Sequence, residues 1–206
     1  MGRTVDILVE DRLSEAVLRR LLAEAPGKLR VGAVHPVRKT WEVEPGGGYG
    51  YIKKSLAAFN VRARSKPMVV LVDADDRSCP PETISDWLGG ARRHSELVVR
   101  VAMREVEAWL LADRAGISDF LGVKESCLPR DTERIRDPKR YVVRLAARSR
   151  RREVREDLAP ARGTKATTGP YFTRALSGFA GSLWDLAAAE SENASLRRAR
   201  AALAKL

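Results

Sequence analysis

The feature that most constrains the fold is a regular alternation of short apolar runs with segments of helical spacing. Four apolar runs have the length of buried strands, and they cover residues 4–10, 29–34, 68–72 and 97–103. Segments with helical spacing follow them, at residues 14–22, 52–62, 81–88 and 105–113. Alternation of this kind is typical of a mostly parallel sheet that is covered by helices on both faces. We therefore predict an α/β fold.

Local signals set the expected ends of these elements. Ser14 is predicted to be the N-cap of the first helix, and Pro81 is predicted to open the third. The stretch from residue 36 to 51 holds four glycines and is predicted to be a loop. It lacks the Gly-Lys-Ser/Thr sequence that ends a Walker P-loop, so a flexible connection is favoured over a phosphate-binding loop.

The later part of the chain is strongly basic. The whole chain has a net charge of +11, and residues 130–165 hold thirteen Lys and Arg against six Asp and Glu. Residues 138–152 are predicted to form one helix that carries a stripe of Arg140, Arg144 and Arg148. Such a stripe is either a track for nucleic-acid phosphates or a solvated helix face.

This change of character suggests two regions. Residues 1–115 are predicted to form the α/β domain, and residues 116–206 a basic, mainly helical region that packs on the same domain. Cys79 and Cys127 lie outside any Cys-x-x-Cys pair, which indicates reduced thiols. Since neither a signal peptide nor a membrane span is recognisable, we expect a cytoplasmic protein with no membrane partner. Its basic charge favours nucleic acid as a partner.

Acidic residues follow three of the predicted strands. Glu10 ends the first run, Asp73 and Asp75 follow the third, and Glu105 and Glu107 come just after the fourth. The carboxyl ends of parallel strands meet at one edge of a sheet, where these acids would repel each other unless a cation lay between them. Carboxylate oxygens suit Mg²⁺ or Mn²⁺. The alternatives are a solvated turn at Asp73 and helix-dipole stabilisation by the two glutamates.

The order of these motifs resembles the TOPRIM superfamily, which includes topoisomerases, bacterial primases and OLD-type nucleases. That pattern has a glutamate after its first strand and an Asp-x-Asp after a later strand, matched here by Glu10 and by Asp73 with Asp75. Small stand-alone TOPRIM-like proteins of prokaryotes are more similar still. They share a second glutamate, here Glu15, and a Glu-x-Glu-Ala-Trp-Leu-Leu-Ala-Asp block, here residues 105–113. The resemblance covers about the first 115 residues, with a weaker match around Lys165, and it implies a TOPRIM or Rossmann-like sheet.

The resemblance also implies roles for individual residues. Glu10 would be a metal ligand or the general base, and Asp73 and Asp75 would hold Mg²⁺. A second metal would use Glu105 or Glu107. Glu15 would be a further ligand or a solvated helix residue, and Lys165 would stabilise charge at the scissile phosphate or be an ordinary surface lysine. The chain departs from the family at Asp11, where a glycine is frequent.

The leading hypothesis is a Mg²⁺-dependent nuclease that hydrolyses phosphodiester bonds of DNA or RNA, in a prokaryotic defence system. The alternative is a TOPRIM-shaped module that has lost catalysis and binds nucleic acid or a partner protein, which the bulk and charge of Asp11 favour. A third reading is a phosphoacceptor receiver domain, because residues 7–11 resemble the opening strand and acid pair of a receiver. Its spacing to Asp73 is too long for that family.

Overall fold

Parallel strands form the centre of the molecule. The computed structural model describes residues 2–27, 29–36, 47–74 and 80–206. Within those ranges the strands are β1 (Thr4–Val9), β2 (Arg30–Pro36), β3 (Met68–Asp73) and β4 (Leu97–Ala102). They pair in the order β2-β1-β3-β4, and every pair is parallel. The predicted α/β fold with a mostly parallel sheet is confirmed.

Helices follow each strand and continue to the end of the chain. The first three are α1 (Arg12–Ala23), α2 (Gly47–Arg62) and α3 (Pro80–Trp87). After β4 come α4 (Val106–Ala112), α5 (Arg114–Leu121), α6 (Pro138–Ala146), α7 (Arg152–Leu158), α8 (Phe172–Ser182), α9 (Leu186–Glu192) and α10 (Ala194–Leu203). Short 3₁₀ turns at Glu125–Cys127 and Thr132–Arg134 connect α5 to α6. None of the helices in the described ranges is long and apolar enough to cross a membrane.

Both faces of the sheet are covered, because successive side chains of a strand point to opposite sides. On one face, Ile7 and Val9 of β1 belong to a large buried core that includes residues of α1, α4 and the later helices. On the other face, Leu8 packs in a smaller core with Ile52 of α2 and Trp87 of α3. The predicted helices on both faces are therefore present.

The C-terminal helices share the larger core. Helix α8 packs against α1, α9 against α4, and α10 against β4. Phe179 and Trp184 are fully buried there, and the guanidinium of Arg20 donates to the carbonyl oxygens of Gly181 (3.1 Å) and Trp184 (3.2 Å). Apolar residues from β1 to α10 thus form one continuous core on this face of the sheet.

One buried acid joins the two parts of the chain. Asp113 is 1% exposed and caps α5, since its Oδ1 accepts from the Gly116 N–H at 2.9 Å. Its Oδ2 accepts from the Asp185 N–H at 2.8 Å, at the start of α9. Both carboxylate oxygens therefore satisfy backbone donors that would otherwise be unpaired.

Replacing Asp113 by alanine is expected to lower the free energy of unfolding by about 2–4 kcal/mol, because it removes a helix cap and leaves a second N–H unpaired. Urea denaturation followed by circular dichroism would measure the loss. Asp119→Ala is the matched control, because Asp119 lies on the same helix with an 86% exposed side chain that pairs with Arg151. Equal stability of the two variants would contradict the role of Asp113.

Three local predictions differ from the structure. The N-cap of α1 is Asp11, not Ser14, because the Asp11 carboxylate accepts from the Ser14 N–H at 2.8 Å. The predicted glycine-rich loop is wrong from Gly47 onward, where α2 has already begun, and residues 37–46 lie outside the described ranges. The buried anchors Ile52 and Leu56 hold α2 against the sheet, and such packing outweighs the weak helix propensity of glycine.

The single helix predicted for residues 138–152 is in fact two helices. Helix α6 ends at Ala146, and α7 begins at Arg152. Between them, the N–H of Arg150 donates to the carbonyl of Gly122 at 3.2 Å, and the N–H of Arg151 donates to Ser149 Oγ at 3.0 Å. These bonds replace the helical pattern, so the chain turns at Ser149.

Candidate carboxylate site at the edge of the sheet

The ends of β3 and β4 are joined beyond their last residues. Asp73 ends β3 and lies opposite Ala102, the last residue of β4. The N–H of Ala74 is shared between the carbonyl oxygens of Ala102 (3.0 Å) and Arg104 (2.8 Å). These bonds hold the segment after β4 beside the end of β3, so the first turn of α4 begins next to Asp73.

Hydrogen bonds connect Asp73 to both neighbouring elements. Its Oδ1 accepts from the N–H of Val106 in α4 at 3.0 Å. Its own N–H donates to Oε1 of Glu10 at 3.1 Å, and Glu10 directly follows β1. The structure therefore brings Glu10 and Asp73 together at the carboxyl edge of the sheet, where ligands of open α/β sheets bind.

Acids from three elements act on Asp73. Burial raises the pKa of Asp73 well above its usual range, and the negative charges of Glu107, Glu10, Asp11 and Glu105 raise it further. Charges shift a carboxyl pKa in this way only from nearby positions. Glu10, Asp11, Asp73, Glu105 and Glu107 thus form one electrostatic group, which we call the carboxylate cluster.

Glu107 is the most deeply buried glutamate of the cluster. It is 4% exposed, although it lies in the first turn of α4. Burial raises its pKa to about 8, Glu105 adds to the rise, and the positive charge of Lys139 opposes it. A cation near Glu107 would favour its charged form, as the nearby Lys139 does.

A second buried acid, Asp6, has its negative charge compensated by nearby cations. Asp6 is fully buried in β1, yet its carboxylate lies 2.5 Å from Lys66 Nζ and 3.1 Å from Arg62 Nη2. Burial alone raises its pKa, but Lys66, the Ala33 N–H and Arg62 outweigh that effect and hold the pKa below its usual value. The pKa of Asp73 shifts in the opposite direction, because burial and four neighbouring acids all raise it.

Two members of the cluster are held by backbone bonds. The carboxylate of Asp11 is engaged as the N-cap of α1, through the Ser14 N–H. Glu105 is the residue before α4, and its Oε2 accepts from the N–H of Lys139 at 2.8 Å. Each contact fixes the position of one carboxylate oxygen.

The cation that the sequence reasoning missed is Lys139. It lies in the first turn of α6, directly after Pro138, and its positive charge lowers the pKa of Glu107. Its Nζ also lies 5.8 Å from the centre of the Phe172 ring, in the range of a cation–π contact. The sequence Asp137-Pro138 predicts the start of a helix. It does not predict that this helix packs on α4 and so lies close to the carboxylate cluster.

Other predicted site residues lie elsewhere. Glu15 is paired with Arg19 at 2.7 Å on the surface of α1, and the acids that raise the pKa values of Asp73 and Glu107 most are other residues. Asp75 lies outside the described residues. Lys165 is exposed in the segment between α7 and α8, and it has no hydrogen bond or ion pair to any part of the chain that the structure describes.

The predicted arginine stripe is exposed but discontinuous. Arg140 and Arg144 lie on α6, while Arg148 lies in the turn after it. The guanidinium of Arg144 stacks over the Tyr141 ring at 5.3 Å. None of the three arginines forms a salt bridge with a described acid, so their charges face solvent.

The cluster matches a hard divalent cation in its chemistry. All five side chains are carboxylates, and oxygen ligands are those that Mg²⁺ and Mn²⁺ take. Among the residues that the structure describes, however, no three Asp, Glu, His or Cys side chains are already grouped as metal ligands. A cation bound there would therefore complete its shell with water or a substrate phosphate, as is usual for Mg²⁺.

Comparison with known proteins adds no relative. No protein family model, no curated protein and no solved structure matches this chain. The resemblance to TOPRIM proteins therefore stays a prediction from the sequence motifs.

Proposed function

We propose that the chain is a Mg²⁺- or Mn²⁺-dependent nuclease that hydrolyses phosphodiester bonds of nucleic acid. One observation carries the proposal: carboxylates from the end of β1, the end of β3 and the start of α4 meet at one edge and raise the pKa of Asp73. Buried and mutually repelling acids at this edge are costly in a protein, and a bound cation would offset that cost.

The residues of the carboxylate cluster would act as metal ligands and as a general base. Asp73, Glu10 and Glu107 would hold the cation, with Asp73 fixed by the Val106 N–H and Glu10 fixed by the Asp73 N–H. Glu105 would supply a further ligand, since its orientation is set by the Lys139 N–H. When bound, the cation would polarise the phosphate and lower the pKa of a water. A carboxylate such as Glu10 would accept the proton of that water.

The charge of the whole chain supports a polyanionic substrate. Residues 130–165 carry a net charge of +7, from thirteen basic and six acidic residues. Arg140, Arg144 and Arg148 are exposed on α6 and the turn that follows it, available for sequence-independent contacts to phosphates. Binding through such contacts should weaken steeply with salt.

The direct test is a cleavage assay with purified protein. Single- and double-stranded DNA and RNA are incubated with Mg²⁺, Mn²⁺ or EDTA, and with wild type or Asp73→Asn protein. The proposal expects metal-dependent cleavage that is absent with EDTA and in the variant. Intact nucleic acid in every reaction, or equal cleavage by the variant, would remove the enzyme proposal.

Lys139 is expected to matter more than Lys165. Lys139→Met should lower the cleavage rate at least about tenfold, since it removes the positive charge beside Glu107 that would face the phosphate. Lys165→Met should leave the rate within about twofold, as is usual for an exposed residue outside a site. Both rates are measured at saturating metal with matched melting temperatures. The reverse ranking would return the role to Lys165.

A second function is favoured by Asp11. This acid stands where TOPRIM proteins often have glycine, and it adds negative charge to the cluster while capping α1. A module that binds nucleic acid without cutting it would retain binding in EDTA and in Asp73→Asn. Metal-dependent cleavage would exclude this alternative.

A further inference from the structure

A cavity of about 660 Å³ lies beside β4, and none of its lining residues belongs to the carboxylate cluster. Within the described sheet β4 pairs only with β3, so its other edge is open to this space. Helices α3 and α10 form the flanking walls, and Ile84, Leu88 and Met103 give part of the lining an apolar character. The volume falls in the range of small-molecule sites, which is about 300–1,000 Å³.

Three arginines from three different segments line the same cavity. Arg93 precedes β4, Arg100 lies on β4, and Arg198 lies on α10. None of them has a salt bridge or a side-chain hydrogen bond within the described ranges. The Nε of Arg100 is buried and has no acceptor among the described atoms.

The charges of Arg93 and Arg198 act on Arg100. The pKa of Arg100 is lowered by burial and then by the positive charges of Arg93 and Arg198. Like charges that converge on a concave surface are unfavourable without an anion. Buried polar groups are almost always paired, so an unpaired guanidinium N–H calls for an acceptor. Guanidinium groups bind phosphate with two parallel hydrogen bonds.

We propose that this cavity binds a nucleotide, with its phosphate on Arg93, Arg100 and Arg198 and its base or sugar against the apolar lining. Inorganic phosphate would occupy only a small part of the volume. A nucleotide would contact both parts of the wall, the arginines and the apolar side chains. A site for a simple anion would not need the apolar side chains. The ligand is either a free mononucleotide or one unit of a nucleic-acid strand.

The position of the cavity relates it to the carboxylate cluster without depending on it. Met103 lines the cavity and directly follows Ala102, whose partner across the sheet is Asp73. A nucleic-acid strand with one nucleotide held in the cavity would therefore approach the edge of the sheet where the carboxylate cluster lies. Nucleotide binding itself requires neither a metal nor cleavage, so it stands or falls separately from the nuclease proposal.

The test is equilibrium binding by calorimetry in EDTA at low salt. The probes are AMP, adenosine, inorganic phosphate and a 5′-phosphorylated tetranucleotide. AMP is expected to bind wild type at least about tenfold more tightly than adenosine or phosphate. Adenosine lacks the phosphate that the arginines would bind, and phosphate lacks the base and sugar that the apolar lining would contact. Arg198→Gln should weaken AMP binding by about the same factor, and because Arg198 is exposed the variant should fold.

A second variant and a control make the result decisive. Arg100→Gln should also weaken binding, whereas Arg174→Gln, an equal charge change at an exposed position on α8, should not. Tetranucleotide binding much tighter than AMP would support a strand as the ligand, and equal affinity would support a free nucleotide. No AMP binding, affinity for phosphate equal to that for AMP, or equal loss in Arg174→Gln would overturn the proposal.

Discussion

Replacing Asp73 by asparagine is expected to raise the free energy of unfolding of the metal-free protein by about 1–3 kcal/mol, because it removes a carboxylate whose charged form is disfavoured in the folded state. The same substitution should lower metal-dependent cleavage at least about a hundredfold. Asparagine keeps an oxygen that can accept from the Val106 N–H, but it removes the charge that Glu107, Glu10, Asp11 and Glu105 repel. Opposite effects on stability and activity distinguish a functional acid from a structural one.

Urea denaturation in EDTA near pH 8 measures the stability effect of Asp73→Asn. Asp86→Asn serves as the control, since Asp86 is exposed on α3 and should change stability little. A loss of stability in Asp73→Asn would mean that the carboxylate is compensated in the folded protein. That result would contradict the electrostatic account of the cluster.

Replacing Glu107 by glutamine is expected to flatten the pH dependence of stability. The pKa of Glu107 is about 8 in the folded protein, against 4.5 for an unperturbed glutamate. Between these values the folded state holds a proton that the unfolded state has lost, so stability falls as pH rises. The slope from this one group approaches about 1.4 kcal/mol per pH unit at most.

Unfolding of the metal-free protein at several pH values between 5 and 8 tests this prediction, over a window set by the two pKa values of Glu107. Wild type should lose stability across the window, and Glu107→Gln should lose clearly less. Glu153→Gln is the matched control, since Glu153 is an exposed acid in the first turn of α7 and should keep the wild-type slope. Parallel curves for all three proteins would show that Glu107 is not buried in a charged environment.

The layout of the sheet was predictable because its strands are buried on both faces. Runs such as Met68–Asp73 are almost wholly apolar, so they stand out without any knowledge of their partners. Helix ends were less predictable. Asp11 and Ser14 are both good N-caps, and only the bond from the Ser14 N–H to Asp11 decides between them. The end of α6 depends on a contact from Arg150 to Gly122, which lies far away in the sequence.

The same division applies to the candidate site. Glu10 and Asp73 were predicted to lie together because each ends a parallel strand, and neighbouring parallel strands end at one edge. Lys139 reaches the cluster only because α6 packs on α4, a contact with no local signature. The resemblance implied a catalytic role for Lys165, with a surface lysine as the alternative, and the structure places that residue between α7 and α8, where it is exposed. Spacing along the chain therefore predicts which strand residues lie at the site better than it predicts which helix residues pack against it.

A calorimetric titration of Mn²⁺ and Mg²⁺ into wild type and Asp73→Asn shows whether the carboxylate cluster binds a metal ion. We expect that wild type binds at least one ion and gains thermal stability from it, and that Asp73→Asn does neither. The titration is repeated with a short oligonucleotide present, so that substrate phosphates complete the ligand shell. If wild type binds no ion under either condition, or if Asp73→Asn binds equally well, the carboxylate cluster is not a metal site.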